Sequence, residues 1–331
     1  MTTTEPRLER SYQLRFTGDW GSANFHKICA WLCAEFCARA GPKSRATIQS
    51  IRGGGIEAIY QVEEGEVDLC LITPAMILPQ ALTGEGLFEG RSAPHLRALG
   101  VLPQNDCMVL ALDPKCGIDS FEALRRERPA LRIAASRDDG SNFIGYVSRL
   151  MMAAHGIDEA TLKSWGGSYV EDTQPSESVG RMAGGTVDAV LQEAIMTPYW
   201  ADIVEAGKVI ALPAEETALK RLAADHGFGR NRLPAGYWDA LKAPLDALDF
   251  SDFVVVVRDD MPGDVAHLLA WCLAETSVGI ERQFRHLPLK RSPVSYPFEP
   301  RKMAMPSIPL HPGARRYYEE AGHWQGTRSG Q

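Results

Sequence analysis

Short apolar runs of strand length alternate with longer segments of helical period through the first part of the chain, and no other feature limits the fold as strongly. "YQLRFTGDW" reads as a strand, "NFHKICAWLCAEFCARA" as a helix, "RATIQSI" as a strand, "GIEAIYQVEEG" as a helix and "VDLCLITP" as a strand. A β-α-β-α-β order predicts a mostly parallel sheet covered by helices, with a binding crevice beyond the carboxyl ends of its strands. The pattern then restarts. After "LRALGVL" come the strand "DCMVLALDP", the helix "SFEALRRE", the strand "LRIAAS", a glycine-containing loop and the helix "NFIGYVSRLMMAAHG". A third unit follows in "SVGRMAGGTVDAVLQEA". Two α/β lobes in series fit this order better than one long sheet.

"DFVVVVRDDMPGDVAHLLAWCLAETS" supplies an uncharged valine run, short enough for a buried strand, and an amphipathic helix that returns to the first lobe. The expected boundaries are therefore residues 11–110 with about 252–295 for lobe I, and 111–251 for lobe II. Residues 296–331 hold the proline-rich "RSPVSYPFEPRKMAMPSIPLHPG" and a terminal helix; such a segment wraps a surface more readily than it folds alone.

Charge and composition exclude several classes. With 35 Lys and Arg against 42 Asp and Glu, the net charge is -7, and no basic block is present to follow a phosphate backbone, so no nucleic acid is expected as a partner. The polar start "MTTTEPRLERSYQLRF" lacks the apolar core of about 7 to 15 residues that an export signal needs. A cytoplasmic location is the expectation, or a periplasmic one if the native start differs. Seven scattered cysteines agree with a reducing compartment. Cys29, Cys33 and Cys37 recur every fourth residue, which on a helix reads as core thiols more readily than as metal ligands. The spacings H-E-x-x-H and C-x-x-C are absent, as is a glycine fingerprint for dinucleotides, so neither metal nor cofactor is expected.

The order of segments, read with "IPLHPGARRYYEEAG", "LTGEGLFEGRSAPHLRALGVL", "EGEVDLCLIT" and "RLPAGYW", resembles the TAXI-type solute-binding subunits of TRAP transporters, over residues 12 to 324 or so. The resemblance implies the two-lobed α/β fold of type II periplasmic binding proteins, with a ligand cleft between the lobes closing over a small, usually carboxylated anion. It also implies transporter membrane subunits as partners if the chain is exported. Two departures stand out. The missing signal and the cysteine content are unlike the family, and the loop "TGDWGSANFHKI", with Asp19, Trp20, Ser22, Asn24 and His26, replaces one rich in Gly, Ser and Thr. The second family loop begins here with Arg52, and Gly55 stands where the family has Ser.

Candidate ligand contacts follow from strand-end loops and from that resemblance. Arg52 precedes Gly53, Gly54 and Gly55; bare backbone N–H groups before a helix, with a guanidinium able to clamp a carboxylate, suit an anion. A tight turn that glycine makes easy is the alternative. Thr73 ends the strand "VDLCLIT". In lobe II, "SRDDGSNFIG" offers Ser136, Arg137, Ser141 and Asn142, though Asn142 or Ser141 also suits a plain helix N-cap. Gln192 and Glu193 end the strand in "AVLQEA", and Tyr237 and Trp238 in "PAGYW" are either cleft walls or core. His26, Glu193 and Cys29 are the candidates for catalysis.

Two functions of different class remain open. A binding protein would hold a small organic anion, and no cofactor. A cytoplasmic, cofactor-independent enzyme on the same fold, such as a decarboxylase or desulfinase of an aromatic acid, would add a proton donor.

Overall fold

The computed structural model describes residues 4–19, 24–51 and 55–324. In chain order its strands are β1 (Gln13–Asp19), β2 (Arg45–Ile51), β3 (Leu69–Ile72), β4 (Leu96–Leu102), β5 (Cys107–Leu112), β6 (Arg132–Ser136), β7 (Ser168–Asp172), β8 (Ala189–Gln192), β9 (Ile210–Ala211), β10 (Arg230–Leu233), β11 (Leu245–Asp249) and β12 (Phe253–Arg258). The chain divides into two compact units: one runs as far as Gln104 and resumes over Asp252–Leu289 and from Pro293 on, and the other takes Asn105–Ser251 with Lys290–Ser292.

The first unit holds a five-stranded sheet in the order β2-β1-β3-β12-β4. β2, β1 and β3 are parallel, whereas β12 runs antiparallel to both β3 and β4. Val254, Val255, Val256 and Val257 of β12 are fully buried, because both faces of this interior strand are covered. The second unit holds the order β10-β11-β5-β8-β6-β7, with β9 on β5. Only β7, β6 and β8 are mutually parallel there. β1, β2 and β3 are parallel, as their β-α-β-α-β order predicts, and both sheets are mixed because β12 in the first and β5 in the second run against their neighbours. Apolar runs report that a strand is buried on both faces, but they carry no direction.

The helix Asn24–Cys37 shows how local spacing sets the core. Phe25, Ile28, Cys29, Leu32 and Phe36 are buried along one stripe. Cys33 is half-buried and Cys37 is exposed, so the three cysteines do not share one core face. Each four-residue step overshoots a full turn by about 40°, which carries the later thiols off the stripe.

Near the C-terminus the chain packs into the first unit instead of lying loosely on it. Ala98 of β4 donates its N–H to Pro309 O at 2.9 Å and accepts from the Leu310-adjacent His311 N–H at 2.8 Å. The helix Pro312–Glu320 then lies on the helix Gly263–Glu275 and buries Tyr317 and Tyr318 completely. A Cβ on Gly313 would come within 2.2 Å of Gly263 O, so only glycine allows this approach. His311 caps the terminal helix: its Nδ1 accepts the Gly313 N–H at 3.1 Å, while Nε2 faces Asp259 O at 3.2 Å. In the second unit His155 makes the mirror arrangement, donating from Nδ1 to Met151 O at 2.7 Å and accepting the Glu215 N–H on Nε2 at 3.0 Å.

Each imidazole needs one bare nitrogen as acceptor, so both are held neutral, and burial pushes both pKa values below the ordinary histidine value. The unfolded chain takes up protons below about pH 6.5 and the folded chain resists, so stability is present at neutral pH and falls on acidification. Urea unfolding compared at pH 7 and 5.5 should show losses approaching 1.4 kcal/mol per pH unit for each histidine. His311→Asn retains an N-cap acceptor and should remove that histidine's share of the slope.

Candidate functional site

In the second unit the parallel strands β6, β7 and β8 each end on a polar residue, and these three residues belong to one hydrogen-bonded chain. Gln192 donates from Nε2 to Ser136 Oγ at 2.8 Å and to Ser178 Oγ at 3.0 Å. Ser178 donates to Asp172 Oδ2 at 3.1 Å, and Arg181 Nε reaches both Asp172 oxygens at 2.8 and 2.9 Å. Ser136, Ser178 and Gln192 are fully buried. They hold the strand ends together rather than presenting hydroxyl or amide groups to solvent.

A polar pocket of about 550 Å³ opens at these strand ends, lined by Arg137, Glu171, Asp172, Thr173, Glu177, Gly180 and Arg181. Its charges are mostly committed. Glu171 pairs with Arg149 at 2.9 Å, Asp172 with Arg181, and Glu177 accepts the N–H groups of Thr173 and Gln174 at the start of the helix Pro175–Ala183. Arg137 is exposed and forms no ion pair among the described residues. It is the lining cation left over for a ligand.

The loop that carries Arg137 is positioned by backbone packing. Asn142 is buried and caps the helix Phe143–Ala154, accepting from the Ile144 and Gly145 N–H groups at 2.9 and 3.3 Å. Ser141 is tied to Asp139 through its N–H at 3.0 Å and through its hydroxyl, which holds the Asp139 carboxyl below its usual range. Asn142 and Ser141 thus serve the turn and the cap. A Cβ on Gly145 would lie 1.6 Å from the Arg137 carbonyl oxygen, so the helix start and the loop touch through a missing side chain.

Glu193 follows β8 and meets Asp106, which precedes β5. Asp106 is fully buried and Glu193 nearly so. Asp106 accepts backbone N–H groups from Cys107 at 2.7 Å, Ala194 at 3.0 Å and Ile195 at 3.1 Å, with the Glu193 carboxyl bonded to it as well. Burial first, then the charge of Asp106, pushes the Glu193 pKa well up, so Glu193 carries the proton and donates it to the Asp106 carboxylate. Ala194 is held at φ 63° beside this pair, and Trp200 donates to Glu193 O at 2.7 Å. The pair fastens the end of β8 to the start of β5. Sequence reading missed Asp106, Asp172, Ser178 and Arg181, since none stands in a motif and their partners are distant in sequence.

Tyr237 and Trp238 are core, not cleft walls: Trp238 is fully buried and stacks on Trp200 with ring centroids 5.9 Å apart. Cys29 is no nucleophile, because it is fully buried and burial drives its thiol pKa well up. In the first unit His26 Nδ1 lies 3.2 Å from Ser50 Oγ, near the carboxyl ends of β1 and β2. A Cβ on Gly18 would come within 3.0 Å of His26 Cα, so glycine lets the helix start that close to β1. Thr73, just past β3, donates to Gln104 Oε1 at 3.5 Å. Gly55 caps the helix Ile56–Glu63 at φ 85°, a left-handed conformation that glycine adopts without strain. Trp20, Ser22, Arg52, Gly53 and Gly54 lie outside the described residues, and for Asp19 and Asn24 only the backbone is described. Among the described residues no three His, Cys, Asp or Glu side chains gather as a metal would require, and no helix is long and apolar enough to cross a membrane.

This mixed two-sheet α/β fold is that of the periplasmic solute-binding proteins. PhnD1 from Prochlorococcus marinus, solved in complex with methylphosphonate, matches at a TM-score of 0.54 and 8% identity, over 94% of this chain and 99% of its own. MatC from Rhodopseudomonas palustris with bound malate gives 0.51 and 13%, over 94% and 97%. A TctC solute-binding protein from Polaromonas gives 0.50 and 10%, over 94% and 98%. The chain belongs to the NMT1-like family, whose model matches residues 25–322. No curated protein matches it in sequence.

Two substitutions test the local assignments. Glu193→Gln keeps a donor toward Asp106 without a proton to lose. A raised folded pKa means that the Glu193 contribution to stability is complete below about pH 4.3 and declines above it, so the melting temperature of the Gln variant relative to wild type should rise from pH 5 to pH 8. Gly145→Ala should lower the urea-unfolding free energy by about 1–3 kcal/mol, because the loop at Arg137 must shift.

Proposed function

We propose that this chain is a solute-binding protein that captures a small organic anion, a carboxylate, with Arg137 as one of its cationic contacts. The observation that carries the proposal is the charge balance of the strand-end pocket: each lining carboxylate already has a cation or backbone N–H partner, and Arg137 has no ion pair among the described residues. The binding of malate by MatC and of methylphosphonate by PhnD1 is in keeping with an anionic ligand. In the first unit Arg52, before the glycines, is proposed as an anion contact on the sequence resemblance alone. More finely, we group the chain with the TAXI-type subunits on the strength of "IPLHPGARRYYEEAG", whose His cap, glycine contact and buried tyrosine pair hold the terminal helix in place.

Catalysis is not favoured by the two groups that come closest to it. Glu193 keeps its proton in a hydrogen bond to Asp106, and Cys29 is sealed in the core. The test is thermal shift with a panel of malate, succinate, benzoate, phenylacetate and 2-phenylbenzenesulfinate, with product analysis of the same mixtures. A carboxylate at about 100 times its Kd should stabilise the fold by about 2.7 kcal/mol. Arg52→Ala should abolish that shift and Arg137→Ala should weaken it about tenfold, the loss of one charge-assisted contact, with unliganded melting temperatures nearly unchanged. Stabilisation by none of the panel overturns the anion assignment; turnover of any member replaces binding with catalysis.

A further inference from the structure

A second cavity, of about 740 Å³, lies wholly within the C-terminal part of the first unit. That is the size of a small-molecule site. Its walls come from two stretches of chain. The helix Pro300–Met303 ends at Ala304, and an extended stretch then places Met305, Ile308 and Leu310 along one side. After the helix Pro312–Glu320, Gly322 at φ 71° turns the chain back, and the His323 and Trp324 N–H groups both bond to Tyr318 O, at 2.8 and 3.1 Å. This turn brings His323 and Trp324 to the other side of the cavity.

The lining is unusual in charge. Among the described lining residues Arg301, Arg315 and His323 are the ionisable ones, and none is a carboxylate. Arg315 is positioned by two contacts: its guanidinium lies over the Trp324 ring at 4.2 Å, and its Nε pairs with the Glu319 carboxylate at 2.9 Å. Arg301 forms no ion pair among the described residues, and its charge, after burial, is among the influences that lower the His323 pKa, so the two side chains are near each other. Met305 is 75% exposed, the most exposed of the large apolar side chains, and it borders this cavity. An apolar floor beside Arg301, which has no ion pair among the described residues, and Arg315, whose charge is shared with Glu319 at the rim, suits a molecule with an apolar body and a single anionic head.

We propose that this cavity is a binding site for an amphipathic monoanion, an alkyl or aryl carboxylate, with its apolar body against Met305, Ile308, Leu310 and Trp324 and its head group held by Arg301 and Arg315. The site is separate from the pocket at Arg137 and takes a more apolar ligand. Its anion contacts are side chains, and its apolar contacts belong to the strap between the last two helices.

The full chain is titrated with octanoate, 1-octanol and acetate by calorimetry, and the Trp324 indole signal, assigned with Trp324→Phe, is followed in ¹H–¹⁵N spectra. Octanoate should bind saturably and shift that signal, with 1-octanol and acetate each at least about tenfold weaker, since one lacks the charge and the other the apolar body. Arg301→Ala should weaken octanoate about tenfold and the Arg301→Ala/Arg315→Ala pair further, whereas Arg301→Lys should retain most of the affinity. All these positions are exposed or half-exposed, so melting temperatures serve as the check on folding. Equal binding of octanoate and octanol, unchanged affinity in the double variant, or octanoate binding that leaves the Trp324 signal in place would each overturn the proposal. No octanoate binding at all would do the same, and it would leave the carboxylate assignment at Arg137 standing on its own test.

Discussion

The antiparallel insertion of β12 between β3 and β4 is the constraint on which the first unit depends. Without it, β3 and β4 would each present an open edge, and the fully buried valines would have no sheet to enter. The insertion also places the helix Gly263–Glu275, which is the platform for the terminal helix and its buried tyrosine pair. The cavity beneath Trp324 exists because that terminal helix is anchored. One non-local pairing therefore supports the sheet, the cap at His311 and the strap.

Much of the first unit was legible in the sequence because its elements have the clean periods that burial imposes. β1, β2 and β3 and the helices between them stand where period-two and helical patterns put them. β7 was not legible: "SYVED" is short, charged at its end and only partly buried, so no apolar alternation marks it. β10 and β11 were missed for a related reason, since "RNRL" is an edge strand with exposed arginines. The parallel direction of β1, β2 and β3 was legible from the helices between them, whereas the reversed direction of β12 and β5 was hidden, because a fully covered strand looks the same in either sense. The candidate site was legible as a set of strand ends and not as a set of roles. Ser136, Asn142 and Gln192 lie at the strand and helix ends expected of them, yet Asn142 Oδ1 is taken by the helix backbone and Gln192 Nε2 by Ser136 and Ser178, while Gln192 Oε1 is buried without a partner among the described residues. Nothing beside Asp106 in the sequence announces that it will be buried against Glu193.

The second unit illustrates how a polar interior can be kept affordable. Its buried carboxyls are arranged so that one negative charge at most remains on each cluster. Asp172 is neutralised by Arg181, while the Asp106 and Glu193 pair shares a proton and is fed by three backbone N–H groups. Geometry at the strand ends is thus fixed by the unit's own hydrogen bonds and ion pairs.

The interrupted first unit also sets an order of events during synthesis. Apart from three residues, the second unit is a single continuous stretch, and its sheet is complete once β11 has emerged. The first unit begins earlier but lacks the strand between β3 and β4 until β12 appears, and lacks the terminal helix until nearly the whole chain is made. On the ribosome the later-started unit closes its core first, and the earlier one waits with β3 and β4 exposed. A chain that stalls before β12 therefore carries one finished body and one open sheet, and chaperones would find their substrate in the N-terminal half.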